Sequence, residues 1–390
     1  MKKRIAILQN GFIRGGSERF VINLCKGLPK EDYDITIINP ATDPELQVLE
    51  PEVLQTGATI LHTTTLHGLT GRLRHLWRLH KILHQGHYDI FQTNLDLFNG
   101  PNLLIAWLER IPIRCCHSHA TMQETEIRLQ NRHPGAFNPL NLLCRSLIKS
   151  YQHIMRQLCW TFANRHVGCS DEANDFLYKG HNWRKQPYPT VIFNGIDLKK
   201  YQTEAKSDLP LDPDKRYILS VNRFEPQKNP SFILDLMQHL QTTRPDIELL
   251  WVGKGTLYED IKQQATDKGL TTPYKGDKRG AIHFLGWRDD VHALMQHSHL
   301  LLMPSLYEGL SITLIEAQAS GLPCLVSDTI TPQAQCGLVR YKSLNDSIDD
   351  WCNTITSILG NDTTLQADQD KLNQFSIRHL AHQMIQLFRS

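Results

Sequence analysis

Short apolar runs of strand length alternate along the chain with segments in which apolar residues recur at helical spacing. In the first half the apolar runs are Ile5–Leu8, Ile35–Ile38, Ile60–His62, Tyr88–Gln92, Ile113–Cys116, His166–Cys169 and Val191–Phe193. In the second half they are Tyr217–Val221, Ile247–Val252, Ile282–Leu285, Leu300–Met303 and Cys324–Val326. Because this alternation is typical of parallel sheets covered by helices on both faces, the pattern predicts an α/β fold.

A polar stretch from Asp197 to Lys215, which holds Pro210 and Pro213, separates the two series. The chain of 390 residues is also longer than one ordinary domain requires. We therefore expect two Rossmann-like domains with parallel sheets, over residues 1–197 and 198–374. Since ligands of open parallel sheets bind at the carboxyl ends of the strands, the sequence predicts a site in a cleft between the domains.

The segment Pro304–Asp328 joins a strand, an acidic turn, a helix and a second strand. Ser311 is placed to cap the helix, and Gly321 is placed to end it. The free N–H groups at the helix start suit a phosphate, whereas the carboxylates of Glu308 and Glu316 suit sugar hydroxyls. A nucleotide-sugar would satisfy both, although either carboxylate taken alone is typical of a solvated charge near a helix start.

The loop after the predicted strand Tyr217–Val221 presents two cations, Arg223 and Lys228. A guanidinium binds phosphate oxygens with paired N–H groups and an ammonium adds a point charge. Such a pair could stabilise the charge that grows on a departing diphosphate without a metal. Each cation taken singly is typical of a surface salt bridge, but their place in the same domain as Glu308 and Glu316 favours the phosphate interpretation.

Two glycines, Gly15 and Gly16, follow the first predicted strand. Glycine lets a backbone approach a ligand closely, and Ser17 is expected to cap the helix that runs from there to about Leu28. The spacing differs from GxGxxG, so it does not predict a dinucleotide site, and a pair of glycines is also typical of a simple tight turn.

The composition excludes several classes of protein. Charged residues make up 21% and hydrophobic residues 41%, as in globular proteins, and the net charge of +2 gives no strong field for nucleic acid. Nine cysteines without CxxC spacing indicate reduced thiols in a cytoplasmic protein. The start MKKRIAILQNGF is expected to be a strand rather than a signal peptide, and no apolar window has the length of a membrane span.

Five motifs, in order along the chain, together resemble retaining glycosyltransferases of family 4, of the bacterial exopolysaccharide type. They are GGSER at Gly15–Arg19, GCSDEA at Gly168–Ala173, FNGID at Phe193–Asp197, RFxxxKN at Arg223–Asn229 and EGLSITLIEAQASGLPCLVSD at Glu308–Asp328. The resemblance spans nearly the whole chain. It implies the GT-B fold and transfer of a hexose from a nucleotide-sugar, expected to be UDP-linked, to a growing surface glycan or a lipid-linked acceptor. No cofactor or essential divalent metal is implied.

The resemblance also implies the catalytic residues. Glu308 would lie against the donor sugar, and Glu316 would accept a hydrogen bond from the ribose. Arg223 and Lys228 would hold the diphosphate. Leaving-group stabilisation by these two cations would do most of the catalytic work.

The donor-binding positions implied by the resemblance fall in four turns and on the helix that follows the last of them. They are Gly15, Gly16, Asn222, Gly286, Trp287, Arg288, Gly309, Leu310, Ser311, Ile312, Thr313, Leu314 and Glu316. Gly15 and Gly16 would approach the donor phosphate or the acceptor, Ser311–Leu314 would offer backbone N–H groups to the diphosphate, and Gly286–Arg288 would meet the base.

A Cys/His segment, Cys115–His119, follows a predicted strand. Zinc ligands need wider spacing, so no metal is expected there, and none of the three DxD triplets in the chain follows a strand. The resemblance places a histidine near the reacting sugar, and His119 fits that position better than His117. His119 could orient a hydroxyl of donor or acceptor, although a structural histidine in a loop would give the same pattern.

Two basic segments predict amphipathic helices. Gly71–Lys81 places Leu73, Leu76, Trp77 and His80 on one helical face with its arginines elsewhere, and Leu140–Phe162 repeats the theme. Such helices can lie on the anionic inner membrane surface, where lipid-linked acceptors are found, or pack on a core with a solvated basic face. The segment Phe375–Arg389 also predicts a helix, and by family analogy residues 375–390 cross back to the first domain.

Other functions stay open on the sequence alone. A nucleotide-sugar 2-epimerase shares the two-domain fold and needs no acceptor, and a GDP-sugar-dependent mannosyltransferase differs in its donor. A non-catalytic binding module would not need both Glu308 and Glu316. Between Gly269 and Ile282 the sequence LTTPYKGDKRGA predicts an exposed loop near the base-binding strand.

Overall fold

A computed structural model describes residues 2–43, 45, 47–119, 139–271, 281–360 and 366–390. The chain divides into two compact units, Met1–Gly195 with Phe375–Ser390, and Ile196–Gln374. The border therefore falls two residues before the predicted one. The loop predicted after Gly269 includes residues 272–280, which lie outside the described residues.

The first unit contains a sheet of six parallel strands. They are β1 (Lys3–Leu8), β2 (Tyr33–Asn39), β3 (Thr59–His62), β4 (Ile90–Thr93), β5 (Ile113–Ser118) and β6 (Arg165–Gly168), in the order β3-β2-β1-β4-β5-β6. Its helices are α1 (Gly16–Gly27), α2 (Glu50–Gln55), α3 (Gly68–Gly86), α4 (Asn99–Leu108), α5 (Pro139–Phe162), α6 (Asp171–Leu177) and the last helix of the chain, α14 (Ile377–Arg389).

The second unit repeats this plan. Its strands are β7 (Arg216–Val221), β8 (Ile247–Val252), β9 (Ile282–Gly286), β10 (Leu300–Met303), β11 (Cys324–Ser327) and β12 (Val339–Lys342), all parallel, in the order β12-β11-β10-β7-β8-β9. Its helices are α7 (Leu198–Gln202), α8 (Pro230–Thr243), α9 (Tyr258–Asp267), α10 (Val291–His297), α11 (Ile312–Ala319), α12 (Ile348–Gly360) and α13 (Gln369–Asn373). Read from β9, the second order is β9-β8-β7-β10-β11-β12, which matches the first order strand for strand. In each sheet the direction in which successive strands are added reverses between the first and fourth strands of the unit, β1 and β4 or β7 and β10.

Strand β1 shows how a sheet buried on both faces builds two cores. Ile5 and Ile7 lie in the core that also contains Leu380 of α14, whereas Ala6 and Leu8 lie in the core beneath α3 and α4. Helix α14 packs directly on α1, because a Cβ added to Gly27 would lie 2.9 Å from the Cβ of Ala381. The C-terminal helix therefore completes the first unit.

Eleven of the twelve predicted strands are present, with small shifts at their ends. The prediction for Val191–Phe193 is wrong, since Val191 makes only a single parallel bridge to Gly168. Phe193 packs instead on Phe375, with ring centroids 4.8 Å apart, so the chain leaves the edge of the sheet there. The pattern also misses β12, an edge strand whose residues alternate between apolar and basic.

Helix α1 begins at Gly16 with Gly15 as its N-cap, so the prediction that Ser17 caps this helix is wrong. The hydroxyl of Ser17 accepts a hydrogen bond from Gln9 at 3.2 Å and donates one to Glu18 at 3.1 Å. It is therefore engaged away from the backbone of its own helix. Among the described helices, none combines the length and apolar character that crossing a membrane requires.

Candidate functional site

In the second unit, the N-terminus of α11 follows the acidic turn after β10. Ser311 is its N-cap and accepts from the N–H of Leu314 at 3.4 Å, which confirms the predicted cap. The N–H of Ile315 donates to the carbonyl of Ser311, while those of Ile312 and Thr313 have no acceptor among the described residues. Two unpaired N–H groups and the positive end of the helix make this turn suited to phosphate.

Lys228 and Glu308 form an ion pair beside this turn. Lys228 ends a short 3-10 turn after β7, and Glu308 lies in the turn after β10. Because β7 and β10 are neighbours in the sheet, their carboxyl ends bring the two loops together. The Lys228 side chain is 16% exposed and that of Glu308 8%, so the pair is largely shielded from water.

Gln227 ties the same two loops together. Its side-chain N–H donates to the backbone carbonyl of Tyr307 at 2.9 Å, and its backbone carbonyl accepts from the N–H of Leu306 at 2.8 Å. Gly309 and the buried Leu310 continue from there to the start of α11. The predicted sugar and diphosphate residues therefore lie on one braced pair of loops.

Asn222 and Arg223 follow β7 directly. The indole N–H of Trp251 donates to Asn222 Oδ1 at 3.3 Å, and Phe224 is buried against Trp251 with ring centroids 4.6 Å apart. A Cβ on Gly253, whose φ is 129°, would lie 1.9 Å from the carbonyl oxygen of Asn222. Arg223 is exposed between these anchors. Trp251 and Gly253 are absent from the predicted site. The sequence GKG at Gly253–Gly255, directly after β8, is the local signal that could have placed this turn beside Asn222.

Glu316, in the second turn of α11, is half-buried. It accepts a hydrogen bond from the hydroxyl of Tyr201 on α7. Tyr201 is absent from the predicted site because it lies 115 positions away in the chain, in the polar stretch Asp197–Lys215, which carries no local signal for a site.

The predicted base-binding turn, Gly286–Arg288, follows β9. Gly286 has a φ of 62° and Trp287 is 48% exposed. The guanidinium of Arg288 is held by Asp290, at 2.6 Å, and by Asp208, and the hydrogen bond from Arg288 keeps the pKa of Asp290 below its usual range. The Arg288 side chain is thus committed to carboxylates of its own unit.

In the first unit, polar side chains gather where β1, β4 and β5 end. The Nε2 of His119 lies 2.9 Å from Asn94 Oδ1, and its ring stacks on that of His117 with centroids 4.2 Å apart. Burial lowers the pKa of His119 to about 3, and burial followed by the charge of His119 lowers the pKa of His117 well below its usual value. Both rings are therefore neutral at physiological pH.

Four buried atoms in this cluster have no hydrogen-bond partner among the described residues. They are Gln9 Oε1, Gln92 Oε1, His117 Nε2 and His119 Nδ1. The two glutamine oxygens are acceptors. Because Nε2 of His119 faces the oxygen Asn94 Oδ1, Nε2 carries the ring proton, and Nδ1 is therefore an acceptor as well. Buried polar atoms are normally paired, so these atoms suit a ligand with several hydroxyl groups.

The carboxylate of Glu18 folds over the N-terminus of α1. A Cβ on Gly15 would lie 2.3 Å from Glu18 Oε2, and Glu18 is 7% exposed. A carboxylate in this position already meets the positive helix end and repels a second anion. Among the described residues, no group of three or more His, Cys, Asp or Glu side chains is arranged to hold a metal ion.

Comparison with known proteins agrees with this architecture. The family model described as "Glycosyltransferase Family 4" matches residues 14–200, and that described as "Glycosyl transferases group 1" matches residues 202–336. EpsF of Bacillus subtilis (strain 168), named as a glycosyltransferase, is 30% identical over 363 residues, which is 91% of this chain and 87% of EpsF.

Two further similarities concern a relative and a solved structure. The UDP-Gal:alpha-D-GlcNAc-diphosphoundecaprenol alpha-1,3-galactosyltransferase of Escherichia coli is 26% identical over 336 residues, 84% of this chain and 80% of that protein. The crystal structure of Anabaena Alr3699/HepE in complex with UDP-glucose has a TM-score of 0.73 at 16% identity, covering 98% of each chain. The two sheets thus have the GT-B architecture of glycosyltransferases. The chain belongs to glycosyltransferase family 4.

Proposed function

We propose that this glycosyltransferase moves a hexose from a UDP-sugar to a growing bacterial surface glycan or a lipid-linked acceptor, with retention at the anomeric carbon and without a divalent metal. The observation that supports a nucleotide-sugar donor is the Lys228–Glu308 pair beside the N-terminus of α11. It combines a cation and backbone N–H groups for a diphosphate with a carboxylate for sugar hydroxyls. The Escherichia coli relative, named for a UDP-Gal donor and a diphosphoundecaprenol acceptor, supports both choices.

In this proposal the protein stabilises the departing diphosphate. Arg223 and Lys228 supply positive charge, and the N–H groups of Ile312 and Thr313 point at the developing negative charge. Interactions that strengthen as the leaving group departs lower the barrier, whereas those that bind the donor equally throughout do not. The acceptor hydroxyl attacks from the face that the diphosphate leaves, which retains the configuration.

The acceptor sugar binds the first unit in this proposal. A hydroxyl both donates and accepts, so it matches the acceptors Gln9 Oε1, Gln92 Oε1 and His119 Nδ1. Of the two roles predicted for Gly15 and Gly16, contact with the acceptor is favoured, since the Glu18 carboxylate beside them disfavours a phosphate. Neutral His119 would then orient a hydroxyl rather than carry charge.

A donor screen followed by an assay with and without acceptor tests the proposed function. We expect UDP-sugars to raise the apparent thermal stability, since a ligand that binds only the folded protein shifts the unfolding equilibrium. The stabilising donor should yield product only when a surface glycan or a lipid-linked acceptor is present, and chelation with EDTA should leave the rate unchanged. Epimerised sugar without acceptor would indicate a 2-epimerase, stabilisation by GDP-sugars alone would indicate the mannosyltransferase alternative, and binding without any conversion would indicate a non-catalytic module.

The outer surface of α3 and α5 is the candidate for peripheral membrane contact. In α3 the buried residues are Gly71, His75, Leu79, Leu83 and Gly86. On the predicted apolar face Leu73 and Trp77 are each 57% exposed and Leu76 is half-buried, and Leu69, just before that segment, is 74% exposed. Among the side chains of α5 that the structure describes, from position 146 on, the exposed large apolar residues are Leu147, Tyr151 and Ile154. Exposed apolar stripes flanked by the exposed cations Arg72, Arg74 and Lys81 suit an anionic bilayer.

We expect the protein to sediment with phosphatidylglycerol vesicles at low salt and to be released at high salt, because screening weakens the attraction of its basic residues. The double variant Leu73→Ser, Trp77→Ser should lose most of this binding without loss of donor binding. Val48→Ser, which changes a residue of the first unit that is 52% exposed, should sediment like the wild type. Absence of the wild-type protein from the vesicle pellet at low salt would refute membrane contact.

A further inference from the structure

Tyr201 makes a polar contact with a proposed donor-binding residue from outside the predicted site. It belongs to α7, the first helix of the second unit, and it is 8% exposed. Its hydroxyl donates to Oε1 of Glu316 on α11. A hydrogen bond from a buried phenol to a carboxylate is charge-assisted and therefore among the stronger side-chain bonds.

The backbone around Tyr201 is held by one side chain of α10. The amide of Gln296 donates to the carbonyls of Tyr201 and Thr203, each at 2.8 Å, and its oxygen accepts from the N–H of Ala205 at 2.9 Å. The ring of Tyr201 meets that of His292 edge to face, with centroids 6.5 Å apart. The phenol thus reaches Glu316 from a fixed position.

We propose that Tyr201 is a positioning residue that holds the Glu316 carboxylate in the orientation that accepts from the ribose of the donor nucleotide. This inference rests on the proposed function, in which Glu316 binds the ribose. An ionised carboxylate offers about four acceptor sites, so the bond from Tyr201 fixes its plane while leaving capacity for a ribose hydroxyl. Ordering a glutamate on binding costs side-chain entropy, and Tyr201 removes much of that cost beforehand.

Tyr201→Phe removes the hydroxyl and keeps the ring in place. We expect calorimetry to show about tenfold weaker binding of UDP, the range for loss of one hydrogen bond to a charged group. In transfer assays the KM for the donor should rise while kcat changes little. Glu316 binds either the 2′- or the 3′-hydroxyl of the ribose, so one of the two analogues 2′-deoxy-UDP and 3′-deoxy-UDP lacks the hydroxyl that it binds. For that analogue, Tyr201→Phe and the wild type should have the same affinity. A merely structural role would weaken UDP and both analogues alike.

Two further variants complete the test. Tyr341→Phe, which removes a phenol hydroxyl 3.5 Å from the carbonyl of Thr331 in the same unit, should bind UDP like the wild type. Glu316→Gln should weaken UDP binding, and adding Tyr201→Phe to it should cause little further loss, because both act through one contact.

The outcomes separate this inference from the proposed function. Wild-type affinity in Tyr201→Phe, or an equal loss for UDP and both deoxy analogues, overturns the inference alone. A wild-type protein that binds neither UDP nor GDP overturns the proposed function and this inference with it. If GDP is the nucleotide that binds, GDP and its deoxy analogues take the place of the UDP series and the same criteria apply.

Discussion

Replacing Lys228 with methionine should lower the rate of sugar transfer by about a hundred- to a thousandfold, the range for removing one group that stabilises transition-state charge. The ammonium lies in the loop after β7, paired with Glu308 in the neighbouring loop. The same charge would meet the departing diphosphate. Methionine keeps most of the apolar stem of the side chain, so packing is preserved while the charge is lost. Turnover at saturating donor, with the sugar selected by the donor screen, measures the effect.

A stability measurement separates this catalytic effect from a folding effect. Removing the cation leaves the shielded carboxylate of Glu308 without its ion-pair partner. For a fully buried pair this lowers the free energy of unfolding by about 3–5 kcal/mol, and the loss is smaller here because both side chains are partly exposed. The double variant Lys228→Met, Glu308→Gln should regain that stability and stay inactive. As a control, Lys268→Met removes an ammonium 3.3 Å from Asp235 and should keep full activity. Turnover that recovers in the double variant would contradict the role of Lys228.

The donor loops could be predicted from the sequence because their signals are local. Ser311 precedes an apolar helical pattern, so its capping role follows from a few neighbouring residues, and the structure confirms it. The ion pair between Lys228 and Glu308 joins residues 80 positions apart, and it depends on β7 and β10 being neighbours. The sequence assigns both residues to one domain, but only the strand order brings them together.

Other parts of the site depend on contacts that no local pattern carries. Tyr201 lies in the polar stretch that separates the two series of predicted strands, and its bond to Glu316 exists only once α7 packs on α11. Ser17 has the composition of an N-cap, yet its hydroxyl is engaged by Gln9 and Glu18. In both cases tertiary contacts override the local signal.

The sequence leaves two interpretations of the apolar face of α3 open, core packing and membrane contact, and the structure excludes core packing for Leu73 and Trp77. Leucine and tryptophan at helical spacing indicate a core face, but the true core face of α3 includes Gly71 and His75. Gly71 is required there because a Cβ would lie 2.6 Å from the carbonyl of Thr65. A buried histidine is acceptable only where partners satisfy its ring, and no sequence pattern identifies those partners in advance.

His75 makes the stability of the first unit sensitive to acid. Its Nδ1 lies 2.7 Å from Thr63 Oγ1 and its Nε2 2.9 Å from Asn102 Oδ1. Since Asn102 donates its amide to the carbonyl of Phe98, its oxygen faces His75 and assigns the ring proton to Nε2. Burial lowers the pKa of His75 to about 4, so the folded protein holds a neutral ring.

The direction of the pH effect follows from this lowered pKa. In the unfolded chain His75 has its ordinary pKa near 6.5, so the unfolded state takes up a proton first as the pH falls. The stabilisation is fully present above that value and is lost as the pH falls towards about 4. Between pH 7.5 and pH 5 the contribution of His75 to the free energy of unfolding should fall by about 2 kcal/mol.

The variant His75→Gln isolates this contribution, since glutamine keeps one donor and one acceptor but does not titrate. Urea unfolding of both proteins, followed by circular dichroism at pH 7.5, 6 and 5, gives the difference in their free energies of unfolding. Other histidines with lowered pKa values, such as His166, cancel in that difference. A difference for His75→Gln that is constant from pH 7.5 to 5 would mean that His75 is not held neutral in the fold.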